Sequence, residues 1–207
     1  CAGVIDFEEA VEMVRKRGEL MNAAVSNGEG GMAALMGLED SVVVECCEKA
    51  EGTVNPANYN APGQVVISGE AGAVDRAIEI AKGLGVKRAV KLEVSGPFHS
   101  QLMLSVKDEF SAHLDKVTFK EPSIPVIQNV DAEVQTDLGR IRSNLVEQLS
   151  APVMWTSIMM KLLDVGVESI VECGPGSVLR GLAKRVSRDL DMFGSDGPDD
   201  MNLLKGN

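Results

Sequence analysis

The chain has 207 residues, 44% hydrophobic and 25% charged, enough for one large domain or for a domain that carries a smaller insert. Its formal net charge of −11 argues against a duplex nucleic-acid binder, which needs a strong basic field. No apolar run approaches the length of a membrane span, which argues against a membrane partner. The four cysteines (Cys1, Cys46, Cys47 and Cys173) and two histidines (His99 and His113) lack metal-ligand spacing, so no metal site is expected.

Cys1-Ala-Gly-Val-Ile5 reads as the end of one element entering a turn, so the sequence reads as starting mid-fold. Asp6 and Glu9 have the spacing of a capping box. A helix then runs to about Val25, with a stripe of Phe7, Ala10, Val14, Arg17, Met21 and Ala24. A Gly-rich loop leads into a short apolar strand over 32–36, and 40–50 is helical. Residues 53–59 and 64–68 read as strands joined by a Pro-Gly turn, 71–84 as a helix and 87–94 as an alternating strand. This β-α-β-β-α-β order predicts a ferredoxin-like subdomain over 31–94.

The Ser95-Gly-Pro-Phe-His99-Ser100 segment reads as a loop, followed by a helix over 101–114 and a strand over 124–130. Helices over 137–149 and 155–165, a strand over 169–173, a Gly174-Pro-Gly176 turn and a helix over 177–190 complete the pattern. Alternating strands and helices predict an α/β body built from 1–30 and 95–192, with a flexible tail over 193–207.

Several side chains stand out chemically. A guanidinium on an apolar stripe needs a partner, so Arg17 pairs with an internal acid, snorkels outward to solvent, or pairs with a substrate carboxylate. His99 follows a strand in a Gly-Pro loop, the place for a general base or for a loop histidine held by backbone. Asn58 and Asn60 flank Tyr59 near a turn, where amides serve the backbone or orient a substrate. Arg180, Lys184, Arg185 and Arg188 read as one basic helix face, either solvated or docking an acidic partner. The start of the helix after Gly176 offers an anion site or simply a tight turn.

Four segments carry a resemblance. They are Val94-Ser-Gly-Pro-Phe-His99-Ser100, Asn58-Tyr-Asn60-Ala-Pro62-Gly63-Gln64, Gln148-Leu-Ser-Ala-Pro152-Val-Met-Trp155 and Glu172-Cys-Gly174-Pro175-Gly176. In order, and with Arg17-Gly18 near the start, they resemble the malonyl-CoA:acyl-carrier-protein transacylase family. The resemblance implies an α/β-hydrolase-like body with a ferredoxin-like insert. It implies transfer of malonyl from coenzyme A to the phosphopantetheine thiol of acyl carrier protein, through a serine ester. His99 is then the base, and the main-chain carbonyl of Gln148 holds its other ring nitrogen. Arg17 pairs with the malonyl carboxylate, and Asn60 and Asn58 line the pocket. Coenzyme A and phosphopantetheine enter only as substrate carriers, and no cofactor is implied. A cytoplasmic setting is expected, or plastid stroma or mitochondrial matrix in a eukaryote.

One departure is large. The family's serine lies in a Gly-His-Ser-x-Gly-Glu elbow upstream of the residues matched here, and no Gly-x-Ser-x-Gly occurs in this sequence. Without that segment, the chain is expected not to form an acyl-enzyme. The alternative is a non-catalytic homologue that binds acyl carrier protein. A smaller departure is Gln101, where many members carry Pro.

Overall fold

The computed structural model describes residues 1–26 and 28–197. The chain opens with α1 (Phe7–Ala23). A βαββαβ run follows, made of β1 (Gly30–Met36), α2 (Asp40–Lys49), β2 (Val54–Ala61), β3 (Gln64–Glu70), α3 (Ala71–Gly83) and β4 (Arg88–Lys91). Beyond it come a 3-10 turn (Gln101–Val106), α4 (Lys107–Leu114), β5 (Val126–Ile127), β6 (Val134–Gln135) and α5 (Leu138–Glu147). The described part ends with α6 (Trp155–Asp164), β7 (Ser169–Cys173), α7 (Val178–Val186) and β8 (Asp191–Ser195).

The first four strands form one antiparallel sheet in the order β2-β3-β1-β4. β1 is central and buried on both faces, which explains its unbroken apolar sequence. Ala33 and Leu35 face α2 and α3 in a core with Val43, Val65, Ile67, Val74 and Ala77. Met32 and Ala34 face the other way, packing with Ala57, Val66 and Phe98. That second face receives the loop bearing His99.

Two glycines are dictated by close approach. A Cβ on Gly69 would lie 2.0 Å from the Thr53 carbonyl oxygen, a backbone atom that cannot move aside. Gly69→Ala is therefore expected to cost about 3 kcal/mol, and to lower Tm by roughly 6–12 °C in a thermal melt. An unchanged Tm would refute the β2–β3 register. A Cβ on Gly30 would lie 2.3 Å from Pro97 Cδ, so this glycine seats the Pro97 ring and fixes the height of the His99 loop above β1.

The buried face of α1 carries Met13, Leu20 and Met21, whereas Phe7 is 82% and Val14 60% exposed. The stripe is rotated from the one read off the sequence, and Arg17 lies four residues after Met13 and four before Met21 on the inward side. The capping box does not form. Asp6 pairs with Lys120 at 2.7 Å, and Glu9 accepts the Thr118 N–H at 3.1 Å, so both acids tie the start of α1 to the segment after α4.

The last helix stops at Val186, and the chain continues into β8, which pairs in parallel with β7. The flexible stretch read from 193 onward thus begins as strand through Ser195, and residues 198–207 lie outside the described residues. Outside the four-stranded sheet, the described residues form only the two-stranded sheets β5-β6 and β7-β8. Among them, no helix is long and apolar enough to cross a membrane.

Candidate active site

His99 lies between β4 and the 3-10 turn with φ of +59°, a left-handed backbone that is uncommon for a residue with a Cβ. Such strain persists only where surrounding contacts over-determine it. The contacts here are numerous. Ser95 Oγ donates to Asn22 Oδ1 on α1 at 2.8 Å. The fully buried Ser100 donates its hydroxyl to the Pro97 carbonyl at 2.6 Å. Asn55 on β2 donates Nδ2–H to the His99 carbonyl at 3.1 Å and accepts the Gln101 N–H at 3.2 Å. Nothing in the sequence marked Asn55, which falls inside the strand read over 53–59.

The imidazole Nδ1 lies 2.8 Å from the main-chain carbonyl oxygen of Gln148. Gln148 is the C-cap of α5, where the last carbonyls of a helix have no partner inside it. That carbonyl can accept from the imidazole, and the negative end of the helix favours any positive charge the ring acquires. The Gln148 amide also lies close, its Nε2 at 3.4 Å from Nδ1. The amide hydrogens are directed elsewhere, toward the carbonyls of Ala151 at 2.9 Å and Pro152 at 3.3 Å. Nδ1 therefore carries the proton, and Nε2 of His99 keeps a lone pair for a substrate or nucleophile proton. Burial pulls the His99 pKa below its ordinary value; the Gln148 carbonyl opposes this, and the positive Arg17 adds to it.

The Gln148 turn is held by backbone pairing across a seam. The Val153 N–H donates to the Ala57 carbonyl at 2.8 Å, and the Tyr59 N–H donates to the Val153 carbonyl at 2.9 Å. Thr156 Oγ1 adds a bond to the Tyr59 carbonyl at 3.1 Å. The edge of β2 thus takes 153 as a parallel bridge, which fixes the turn against the His99 loop.

Arg17, Asn58 and His99 line one open cavity of about 470 Å³, together with Met21, Met32 and Phe98 among others. Among the described residues the Arg17 side chain makes no hydrogen bond and no ion pair. Burial alone lowers its pKa, with no acid to counter it. Among the described residues no internal acid takes that place, and the guanidinium faces the cavity. Asn60 does not line this cavity. It falls in an irregularity of β2 between Tyr59 and Ala61, where the pairing shifts register, so the inward amide is Asn58.

Other candidate features resolve differently. Two N–H groups in the first turn of α7, those of Leu179 and Arg180, donate to the Glu172 carboxylate at 2.9 and 3.1 Å, so the helix start is occupied by the chain's own acid. Arg180 turns in to the same carboxylate at 3.2 Å. Arg185 bonds the Gln64 side chain, and Arg188 lies past the end of α7. The expected single basic face of Arg180, Lys184, Arg185 and Arg188 is therefore broken up. Cys46 and Cys47 are buried, and burial pushes the Cys47 thiol up to about 12, so it stays protonated and unreactive. No cluster of metal-ligating side chains occurs among the described residues. A larger apolar groove of about 550 Å³ runs beside α6, β7 and α7, and neither histidine lines it.

Residues 1–196 match the family model described as acyl transferase domain. The chain belongs to the acyl transferase domain family. Its relatives include a malonyl CoA-acyl carrier protein transacylase from Salmonella typhimurium, 48% identical over 188 residues, which are 90% of this chain and 61% of that protein. A protein of the same name from Staphylococcus aureus is 43% identical over 194 residues, covering 92% of this chain and 63% of the relative. The acyl transferase chain thus spans about three fifths of the length of these curated relatives.

Among solved structures, it superposes on an acyl carrier protein S-malonyltransferase from Vibrio cholerae with a TM-score of 0.95 at 43% identity, covering 99% of this chain and 67% of that one. It also superposes on a malonyl-transacylase in complex with a type II PKS acyl-carrier protein, with a TM-score of 0.95 at 40% identity, covering 100% and 68%. The fold is accordingly the mixed α/β fold of these enzymes.

Proposed function

We propose that this acyl transferase chain supplies the base and the acyl-group selector of an enzyme that moves malonyl from coenzyme A to the phosphopantetheine thiol of acyl carrier protein. The observation that carries the reading is a half-buried arginine with no acid partner among the described residues, in one cavity with a histidine whose Nδ1 is held by a helix-terminal carbonyl. The nucleophile is a serine from a segment outside these 207 residues. The names of the relatives support the same chemistry. We read the βαββαβ unit as a ferredoxin-like insert and the remainder as part of an α/β-hydrolase-like body, on the order β2-β3-β1-β4 and on the family match.

The serine oxygen attacks the malonyl thioester carbon while His99 Nε2 takes its proton. Collapse of the tetrahedral adduct breaks the carbon–sulfur bond, and the departing coenzyme A thiolate receives that proton. Nε2 then accepts the proton of the phosphopantetheine thiol, whose sulfur attacks the ester carbon. The serine oxygen leaves and recovers its proton, so no net proton or electron is consumed. Neither step requires a metal or a redox cofactor, and coenzyme A and phosphopantetheine serve as carriers.

In this reading Arg17 grips the free carboxylate of malonyl. Asn58 lines the same wall, and Asn60 serves β2 rather than the substrate. The test is intact-mass spectrometry of the full natural protein. Malonyl-CoA should add one malonyl group, and phosphopantetheinylated acyl carrier protein should remove it. A folded protein that never gains the group would sink the proposal.

A further inference from the structure

We propose that Asn55 is a positioning residue for His99, acting through the backbone rather than by touching substrate. The inference rests on the reading of His99 as the base. Asn55 lies on β2, a strand of the four-stranded sheet, while His99 lies in a strained loop 44 residues later. Its amide is fully committed. One Nδ2–H goes to the Pro56 carbonyl at 2.9 Å and fixes the side chain on its own strand. The other goes to the His99 carbonyl at 3.1 Å, and Oδ1 receives the Gln101 N–H at 3.2 Å.

The two outward arms grip the peptide units on either side of Ser100. The His99 carbonyl and the Gln101 N–H therefore cannot rotate independently. This matters because His99 is left-handed, with φ of +59°, and an ungripped histidine relaxes to negative φ. Relaxation swings the ring away from the Gln148 carbonyl, which lies on a different segment and cannot follow. The contact controls which ring nitrogen carries the proton. The second arm also requires an N–H at position 101, which Gln101 provides and a proline there would not.

The test compares Asn55→Ala with Asn55→Asp in the full natural protein. Asp is nearly isosteric and retains an acceptor for the Gln101 N–H, but sets an oxygen against the His99 carbonyl. Both variants should lower kcat for malonyl transfer about tenfold, with KM for malonyl-CoA unchanged because Arg17 is untouched. The 15N spectrum of the His99 ring, assigned by its loss in His99→Gln, should change from the Nδ1–H tautomer to a mixture. A purely structural role would lower Tm and leave the tautomer alone. If Asn55→Asp folds with tautomer and kcat unchanged, or raises KM with the tautomer intact, the proposal is overturned. Loss of the underlying reading looks different: His99→Ala would then leave transfer unchanged, while the tautomer shift in the Asn55 variants stays measurable.

Discussion

Replacing His99 with Ala in the full natural protein should lower kcat for malonyl transfer by about 10³-fold, equivalent to about 4 kcal/mol of transition-state stabilisation. The size follows from two roles in each half-reaction: the ring takes a proton from the attacking group and returns it to the leaving group. Neither role is replaced by water at comparable cost, because the ring is already fixed by the Gln148 carbonyl. The same measurement has a pH signature. Only neutral His99 can accept a proton, and burial lowers its pKa from the ordinary histidine value near 6.5. The acid limb of the kcat/KM profile should therefore fall at a lower pH than an exposed histidine would give. A limb above pH 6.5 in the unaltered protein (the ordinary value in question) would contradict the burial argument, and an intact rate in His99→Ala would remove the base.

Arg17→Ala should lower kcat/KM for malonyl-CoA by roughly 10²–10³-fold, the cost of leaving a buried carboxylate unpaired. Acetyl-CoA, which offers no carboxylate, should be used as well as before or better, so the preference for malonyl over acetyl collapses. Arg17→Lys should recover only part of the loss, since an ammonium cannot make the planar two-point contact. A second prediction separates this role from a structural one. Arg17 has no acid partner among the described residues, so its removal strands no charge and should leave Tm unchanged or higher. A sharp fall in Tm, or an unchanged acyl preference, would rule out the selector role.

The sequence and the structure agree where periodicity and turn chemistry are strong. The βαββαβ order was legible because the apolar period switches between strands and helices, and the Pro62-Gly63 turn joins β2 to β3. Arg17 was legible as an oddity, an obligate cation among apolar residues at helical spacing. The adjacency of His99 and the Gln148 carbonyl was legible only through the resemblance of whole segments, since no pattern predicts contacts across a loop and a helix end.

Asn55 was hidden because its partners are main-chain atoms, which every residue possesses. The stripe on α1 was misjudged by about one position because Phe7 looks like core material, yet it lies 82% exposed. The strand β8 escaped notice because Gly194 and Ser195 suggest flexibility, while its order comes from pairing to β7. The supposed basic face failed because spacing along a helix says nothing about an acid such as Glu172 waiting on the preceding strand.

The seam between β2 and residue 153 has a consequence for how competence is acquired during folding. The hydrogen-bonded partners there are distant in sequence: His99 and Gln148 are 49 residues apart, and Thr156 and Tyr59 are 97 apart. Such contacts arise after the local hairpins and helices, because long loops must close first. The oriented imidazole therefore forms with the long-range pairings of the fold, such as that of β1 with β4, rather than with its local elements. Slow exchange of the Val153 and Tyr59 amide protons would report the lifetime of the assembled site, separately from the lifetime of the fold.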